Sequence, residues 1–295
     1  MLFFSDPRFR ALGIGDVRDD IPWDILQTHG YARTRLTQWL ADARAEKLSV
    51  LITFDRSGRR AWRYRLPSVA RFSSAFAAFR RLYPWVTQFV TWDEANFYGE
   101  PTSTHPDIAA RYYEALRSDC PTCLILAPDL LDITDRRYAV PDVRYARELL
   151  ADLPSPPMYW ALNDYVGAND LSAATTRQLL AAVPGKVWIA EVAGVIDNGT
   201  EADVASSARL RRQAVVDQFI LAKLASVSPR IQRIYLYEWR ASTARDDWDS
   251  ALISASGAAR PAYDVLARML DGWGIKPDCS ISSAPPACAH AAARA

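Results

Sequence analysis

The sequence predicts an α/β fold, a (β/α)8 TIM barrel whose first strand is missing or vestigial. The barrel is expected over residues 1–275, with a Ser/Pro/Ala-rich tail over 276–295. Three observations carry this. Short β-rich apolar runs alternate with longer helical runs seven times. Most strand candidates are continuously apolar, as expected for strands buried on both faces of a parallel sheet. No G-x-G-x-x-G turn occurs, and Gly13-Ile14-Gly15 is the nearest approach, which argues against a doubly wound open sheet.

The strands are expected at Leu48–Phe54, Phe89–Trp92, Cys123–Ala127, Met158–Leu162, Val187–Ile189 and Ile234–Tyr237, with a weaker one near Leu12–Val17. The helices between them begin with Arg33–Glu46, where Leu36, Leu40 and Ala43 recur at helical spacing after Gly30. Val69–Leu82 follows, with Phe72, Phe76 and Phe79 on one face. Pro106–Leu116 opens on a proline, which suits a first helical turn. Val143–Leu150, Ser172–Ala182, Ala202–Leu224 and Pro261–Leu270 complete the series.

Composition narrows the function classes. With 35 basic and 34 acidic side chains the formal charge is +1, which gives no support for a nucleic-acid partner. No run of eighteen apolar residues occurs, so no membrane span is expected. Arg56, Arg59, Arg60, Arg63 and Arg65 form a basic cluster carrying Trp62 and Tyr64. It reads as a solvated loop or as the rim of a sugar or anionic-ligand site. Cys120/Cys123 and Cys279/Cys288 read as two local disulfides, which would suit an exported protein, yet Met1-Leu-Phe-Phe4 runs straight into Ser5-Asp6-Pro7 without a secretory signal. Asn198-Gly199-Thr200 reads as a turn.

In such a barrel, reactive groups sit at the C-terminal ends of the strands. Those ends carry Arg18-Asp19-Asp20, Asp55, Trp92-Asp93-Glu94-Ala95-Asn96, Asp129, Asn163-Asp164-Tyr165, Glu191 and Glu238-Trp239. The ring is rich in carboxylates and aromatics and holds none of the three histidines, which disfavours His-based triads and His-rich metal sites. No metal and no organic cofactor is expected. Glu94 and Glu191 lie at barrel positions that face each other. Two such carboxylates about 5–5.5 Å apart suit glycoside hydrolysis with retention, one as acid/base and one as nucleophile. Asp55 and Asp129 are weaker candidates for binding sugar hydroxyls, and Trp188 is expected in the core.

Thr91-Trp92-Asp93-Glu94-Ala95-Asn96 resembles the Trp-Asn-Glu-Pro-Asn signature of clan A glycoside hydrolases. Val187-Trp188-Ile189-Ala190-Glu191 resembles that clan's nucleophile strand. The likeness spans roughly Phe4 to Leu270. It is closest to uncharacterised actinobacterial members, whose Phe-Ser-Asp-Pro-Arg-Phe pattern Phe4–Phe9 reproduces and in which a first strand precedes that motif. The resemblance implies Glu94 as acid/base, Glu191 as nucleophile, Arg18 and Tyr165 as supports of Glu191, and Trp239 as the floor of the sugar subsite. Trp92, Asn96 and Asn163 join the set as binding or supporting residues. The implied partner is an oligosaccharide, polysaccharide or glycoside. Three departures stand out: Asp93 in place of the clan's Asn, Ala95 in place of Pro, and Asn163-Asp164-Tyr165 where relatives often carry His-Asn-Tyr. An ionised Asp93 can only accept hydrogen bonds. A catalytically impaired, carbohydrate-binding barrel is the alternative expectation.

Overall fold

The computed structural model describes residues 3–133, 135–197, 206–242 and 248–272. After a short α1 (Pro7–Ala11), strands and helices alternate: β1 (Asp16–Pro22), α2 (Tyr31–Ala45), β2 (Ser49–Asp55), α3 (Val69–Leu82), β3 (Gln88–Val90), α4 (Pro106–Asp119), β4 (Leu124–Leu126) and β5 (Asp129–Leu131). Then follow α5 (Asp142–Ala151), β6 (Tyr159–Asn163), α6 (Tyr165–Asn169), α7 (Ala174–Ala182), β7 (Lys186–Val192), α8 (Ser207–Ala222), β8 (Ile231–Leu236) and α9 (Pro261–Gly272). All paired strands are parallel, in the orders β1-β2-β3-β4 and β5-β6-β7-β8.

β4 lies within the strand expected at Cys123–Ala127, and β5 follows beyond it in the same strand position. Pro128 has no N–H to give to the ladder, so the strand breaks there. The chain still joins the two sheets across the break. Ala127 N donates to Tyr159 O at 2.9 Å, and Asp129 N donates to Trp92 O at 2.7 Å. The architecture is therefore the expected β/α barrel with seven strand positions. Among the described residues β8 and β1 do not pair. Arg233 and Asp16 form a 2.8 Å ion pair between them, and a cavity of about 800 Å³ lies there, lined by Phe9, Trp39, Leu236 and Leu266 among others.

The weakest expected strand is displaced. It runs over Asp16–Pro22 rather than Leu12–Val17. Its charged residues hide it from an apolar-run criterion, yet each has a use. Arg18 turns into the barrel, while Asp19 faces outward to Arg35 of α2 at 3.1 Å. α1, α6 and the break at Pro128 were not expected. Most other helix boundaries lie within two or three residues of expectation; the expected start of the Ala202–Leu224 helix lies outside the described residues. So do the tail from residue 276, the Asn198-Gly199-Thr200 turn and the Cys279/Cys288 pair. Cys120 and Cys123 form the expected local disulfide.

The strand period sorts side chains between two cores. On β2, Val50, Ile52 and Phe54 pack outward among the helices, while Leu51 and Thr53 face the barrel axis. Phe54 stacks on Phe89 at 6.0 Å, with Phe72, Phe76 and Phe79 of α3 edge-on to it. Such pairs add about 0.5–1.5 kcal/mol each beyond area burial. Inside the barrel, Leu51, Val90, Leu126, Ala161, Trp188, Ala190 and Tyr235 fill the lower layer. Trp188 is thus a core residue, as expected. This plug leaves the polar upper layer as the place where chemistry can occur.

Candidate active site

Arg18 organises the upper layer. Its side chain is only 5% exposed. Nε donates to Thr53 Oγ1 at 2.9 Å, Nη1 to Glu191 Oε2, and Nη2 to Asp93 Oδ1 at 2.7 Å and Asp129 Oδ2 at 3.5 Å. One buried guanidinium thus holds residues of β2, β5 and β7 and of the segment after β3. Its planar fork suits this, because each bond fixes a direction as well as a charge.

Glu191 reaches the site through an irregularity. Trp188 and Ala190 face the barrel axis, so strict alternation would send Glu191 outward. The register of β6 and β7 shifts between Leu162↔Ile189 and Asn163↔Glu191. Pairing with β8 shifts over the same stretch. The bulge turns Glu191 inward, as bulges next to active sites do. Just beyond, Gly194 packs so closely on α8 that a Cβ there would lie 2.6 Å from Gln213 O.

Tyr165 donates its hydroxyl to Glu191 Oε1 at 2.7 Å. Its position is set by the start of α6. The Asp132 carboxylate accepts from Val166 N at 2.9 Å and Gly167 N at 2.6 Å, and a carboxylate at a helix start also meets the positive end of the helix dipole. Trp248 closes edge-on against Tyr165 at 4.9 Å. Burial and the Glu191 charge push the Tyr165 phenol above its ordinary pKa, which keeps it a donor.

Glu94 sits differently. It has φ of +38°, a left-handed conformation that is uncommon for a residue with a side chain and that concentrates at functional sites. Its neighbours fix it: Asp93 N donates to Phe54 O at 2.7 Å, and Ala95 N to Asp129 O at 2.8 Å. Among the described residues its carboxylate has one weak donor, Asn163 Nδ2, 3.4 Å from Oε1. Burial, and next the Glu191 charge, push Glu94 up to about 7. Burial also raises Glu191, but Arg18 and Tyr165 pull it back. Asp93 and Asp129 are both raised, first by burial, with Arg18 opposing.

Glu94, Glu191, Arg18, Asp93, Asn163 and Tyr165 are therefore brought together. Two other expected residues, Trp92 and Asn96, are placed elsewhere. Trp92 is fully buried, stacked on Tyr112 at 5.5 Å, and donates to Glu100 Oε2 at 3.2 Å. It belongs to the helix-facing core because it alternates with the inward Asp93. Asn96 is fully buried too. Its amide donates to Leu131 O and Val140 O and accepts from Leu131 N, which ties two loops together and leaves nothing for a ligand. Trp239 packs edge-on to Phe9 and Tyr263. It lines the cavity between β8 and β1, which Arg18, Glu191 and Tyr237 also line. Asp129 is fully buried beneath Arg18 and Asp55 turns toward Arg56, whose N donates to it at 2.5 Å.

Sequence reasoning missed Thr53 and Tyr237 and undervalued Asp129. Thr53 was readable in principle, as the one polar residue inside Val50–Phe54 at an inward position. Tyr237 follows β8 and lines the same cavity as Glu191. Among the described residues no cluster of His, Cys, Asp and Glu could hold a metal ion, and no helix is long and apolar enough to cross a membrane.

No protein-family model matches the chain, and a search of curated proteins finds no match. Solved structures do match. An endo-1,4-beta-xylanase from Penicillium canescens superposes with a TM-score of 0.62 at 14% identity, covering 90% of this chain and 88% of that one. A GH5_18 from Bifidobacterium longum subsp. infantis gives 0.62 at 15% identity over 94% and 76%. Xylanase 10B from Thermotoga maritima gives 0.60 at 12% identity over 85% and 84%. The chain has the β/α-barrel fold of these glycoside hydrolases.

Proposed function

We propose that the protein is a retaining glycoside hydrolase in which Glu191 is the nucleophile and Glu94 the acid/base. The observation that carries this is the unequal support of the two carboxyl groups. Glu191 receives strong donors on both oxygens, from Arg18 and Tyr165. Among the described residues Glu94 receives only a 3.4 Å contact. Donors stabilise the ionised form, so Glu191 loses its proton first and Glu94 keeps one near neutral pH. The fold shared with glycoside hydrolases and the motifs around both residues support the same reading. The finer likeness, to actinobacterial members, rests on Phe4–Phe9.

In the first step a Glu191 oxygen attacks the anomeric carbon. The bond from that carbon to the leaving oxygen breaks, and Glu94 transfers its proton to that oxygen. Glu94, now ionised, takes a proton from water. The water oxygen attacks the same carbon, and the bond to Glu191 breaks. Two inversions give net retention. Arg18 and Tyr165 hold Glu191 in place and share its charge as it returns. These steps need neither a metal nor an organic cofactor.

The test is hydrolysis of a panel of aryl glycosides by the native protein and by Glu191→Ala, with and without azide. Azide can replace the missing nucleophile and yields a glycosyl azide of inverted configuration. Activity lost in Glu191→Ala and restored by azide is expected. A folded protein inactive on every glycoside would overturn the hydrolase reading in favour of a carbohydrate-binding barrel. Full activity in Glu191→Ala would overturn the assignment of the nucleophile.

A further inference from the structure

Between Asp55 and Asp93 the chain carries eight arginines and no carboxylate. Five of them fall in the loop joining β2 to α3, on the C-terminal face where the Glu94 and Glu191 site opens. The loop is fixed at several points. Arg56 Nη1 donates to Gly99 O at 2.7 Å and pairs with Glu100. Ser57 Oγ donates to Asp24 at 2.7 Å, and Arg59 approaches the same carboxylate at 3.6 Å. Arg71 of α3 lies over both Trp62, at 4.4 Å, and Trp23, at 5.4 Å. This anchoring leaves Arg60, Arg63 and Arg65 exposed, and none of them pairs with a carboxylate among the described residues. Tyr64, between the last two, is 70% exposed.

Tyr64 has company. The other strongly exposed tyrosines are Tyr31, Tyr98 and Tyr138. All four lie in βα loops or at the start of a helix that follows a strand, and so on the same face as the site. An exposed phenol ring offers a flat apolar surface for a sugar ring. Guanidinium groups match carboxylates in geometry as well as charge.

Resting on the hydrolase reading, we propose that the 56–65 loop is an outer subsite for an acidic polysaccharide. Arg60, Arg63 and Arg65 bind carboxylates of the polymer, and Tyr64 stacks on one of its rings. The catalytic centre has the opposite character, with Asp93, Asp129 and Glu191 sharing one arginine. Arg18 is already taken up by these three carboxyl groups and is not available to pair with a uronic acid at the point of cleavage. The substrate class that satisfies both is a neutral backbone bearing carboxylates on other residues.

Affinity gel electrophoresis of Glu191→Ala tests this without turnover. The gels contain carboxymethyl cellulose or glucuronoxylan, each matched with a neutral counterpart, hydroxyethyl cellulose or arabinoxylan. At least one acidic polymer should retard the protein at a tenfold lower concentration than its neutral match, and high salt should erase the difference. The triple variant Arg60→Ala/Arg63→Ala/Arg65→Ala, shown by circular dichroism to be folded, should lose the discrimination, and the matching triple lysine variant should keep part of it. Equal retardation by acidic and neutral polymers, no retardation by either acidic polymer, or discrimination that survives the triple alanine change overturns the proposal. Equally tight retention by single-stranded DNA also overturns it, since that marks charge alone. A protein that binds the acidic polymer but hydrolyses nothing fails the catalytic reading and leaves this one standing.

Discussion

Tyr165 donates a 2.7 Å hydrogen bond to one oxygen of Glu191 while Arg18 binds the other. Tyr165 follows β6 and Arg18 lies on β1, so the two donors come from separate elements. Each can be removed singly.

Tyr165→Phe removes one hydrogen bond to a charged group, which contributes about 1.5–3 kcal/mol. The expected result is a fall in kcat of roughly ten- to a hundredfold. Loss of the donor also raises the pKa of Glu191, so the acidic limb of the pH–rate profile should move to higher pH. An unchanged limb would mean that Glu191 is not the ionised group.

Arg18→Lys keeps the charge and loses the fork. Lysine cannot reach Glu191, Asp93 and Thr53 together, so the carboxylates should lose their shared anchor. A fall in kcat of about 10²–10³ is expected, the size seen when one aligned electrostatic donor is lost. Steady-state kinetics on the best aryl glycoside would measure it.

Glu94 is pushed up to about 7. It must be protonated to act as the acid, so kcat/KM should decline as pH rises through about 7. The Asn163 contact stabilises ionised Glu94. Asn163→Ala should therefore shift that alkaline limb upward. A downward shift or none would remove Asn163 from the site.

Asn96→Ala separates scaffold from ligand contact. The asparagine makes three buried hydrogen bonds to backbone groups. Stranding those groups costs about 1–3 kcal/mol each. Thermal unfolding should show a marked drop in Tm, with KM little changed for protein that remains folded. A raised KM at unchanged Tm would return Asn96 to substrate binding.

Stability should depend on pH in a direction set by buried carboxyls. Burial pushes Asp19 and Asp217 up to about 7 and Asp142 up to about 6. Between the ordinary carboxylate range and about 7 the folded protein then holds more protons than the unfolded chain. Stability falls as pH rises through that window and levels off above it. Tm measured from pH 4.5 to 8 should decline accordingly. Asp217→Asn, which keeps an acceptor for the 2.7 Å bond from Gly194 N, should flatten the curve and raise Tm at pH 8.

The alternation of apolar strand runs and amphipathic helices was enough to determine the barrel. Periodicity records which faces are buried, and burial on both faces of a strand leaves a continuous apolar run. The strand-end positions of Glu94, Glu191, Asn163 and Tyr165 were legible for the same reason, since a polar residue directly after such a run marks a strand end. Asp16–Pro22 was misplaced because its charges are paired across the barrel and to α2, and pairing between distant residues leaves no local trace. Trp92 and Asn96 carry the right motif but point away from the site. Whether a side chain points to the axis or to the helices depends on register, and a shift of one residue reverses it. That shift turns Glu191 inward after Ala190. The break at Pro128, which brings Asp129 under Arg18, is another choice made by packing. The periodicity of the chain dictates the barrel and the residues available to a site. Tertiary structure decided which of them face one another, because Arg18 can gather four strands only once the strands are side by side.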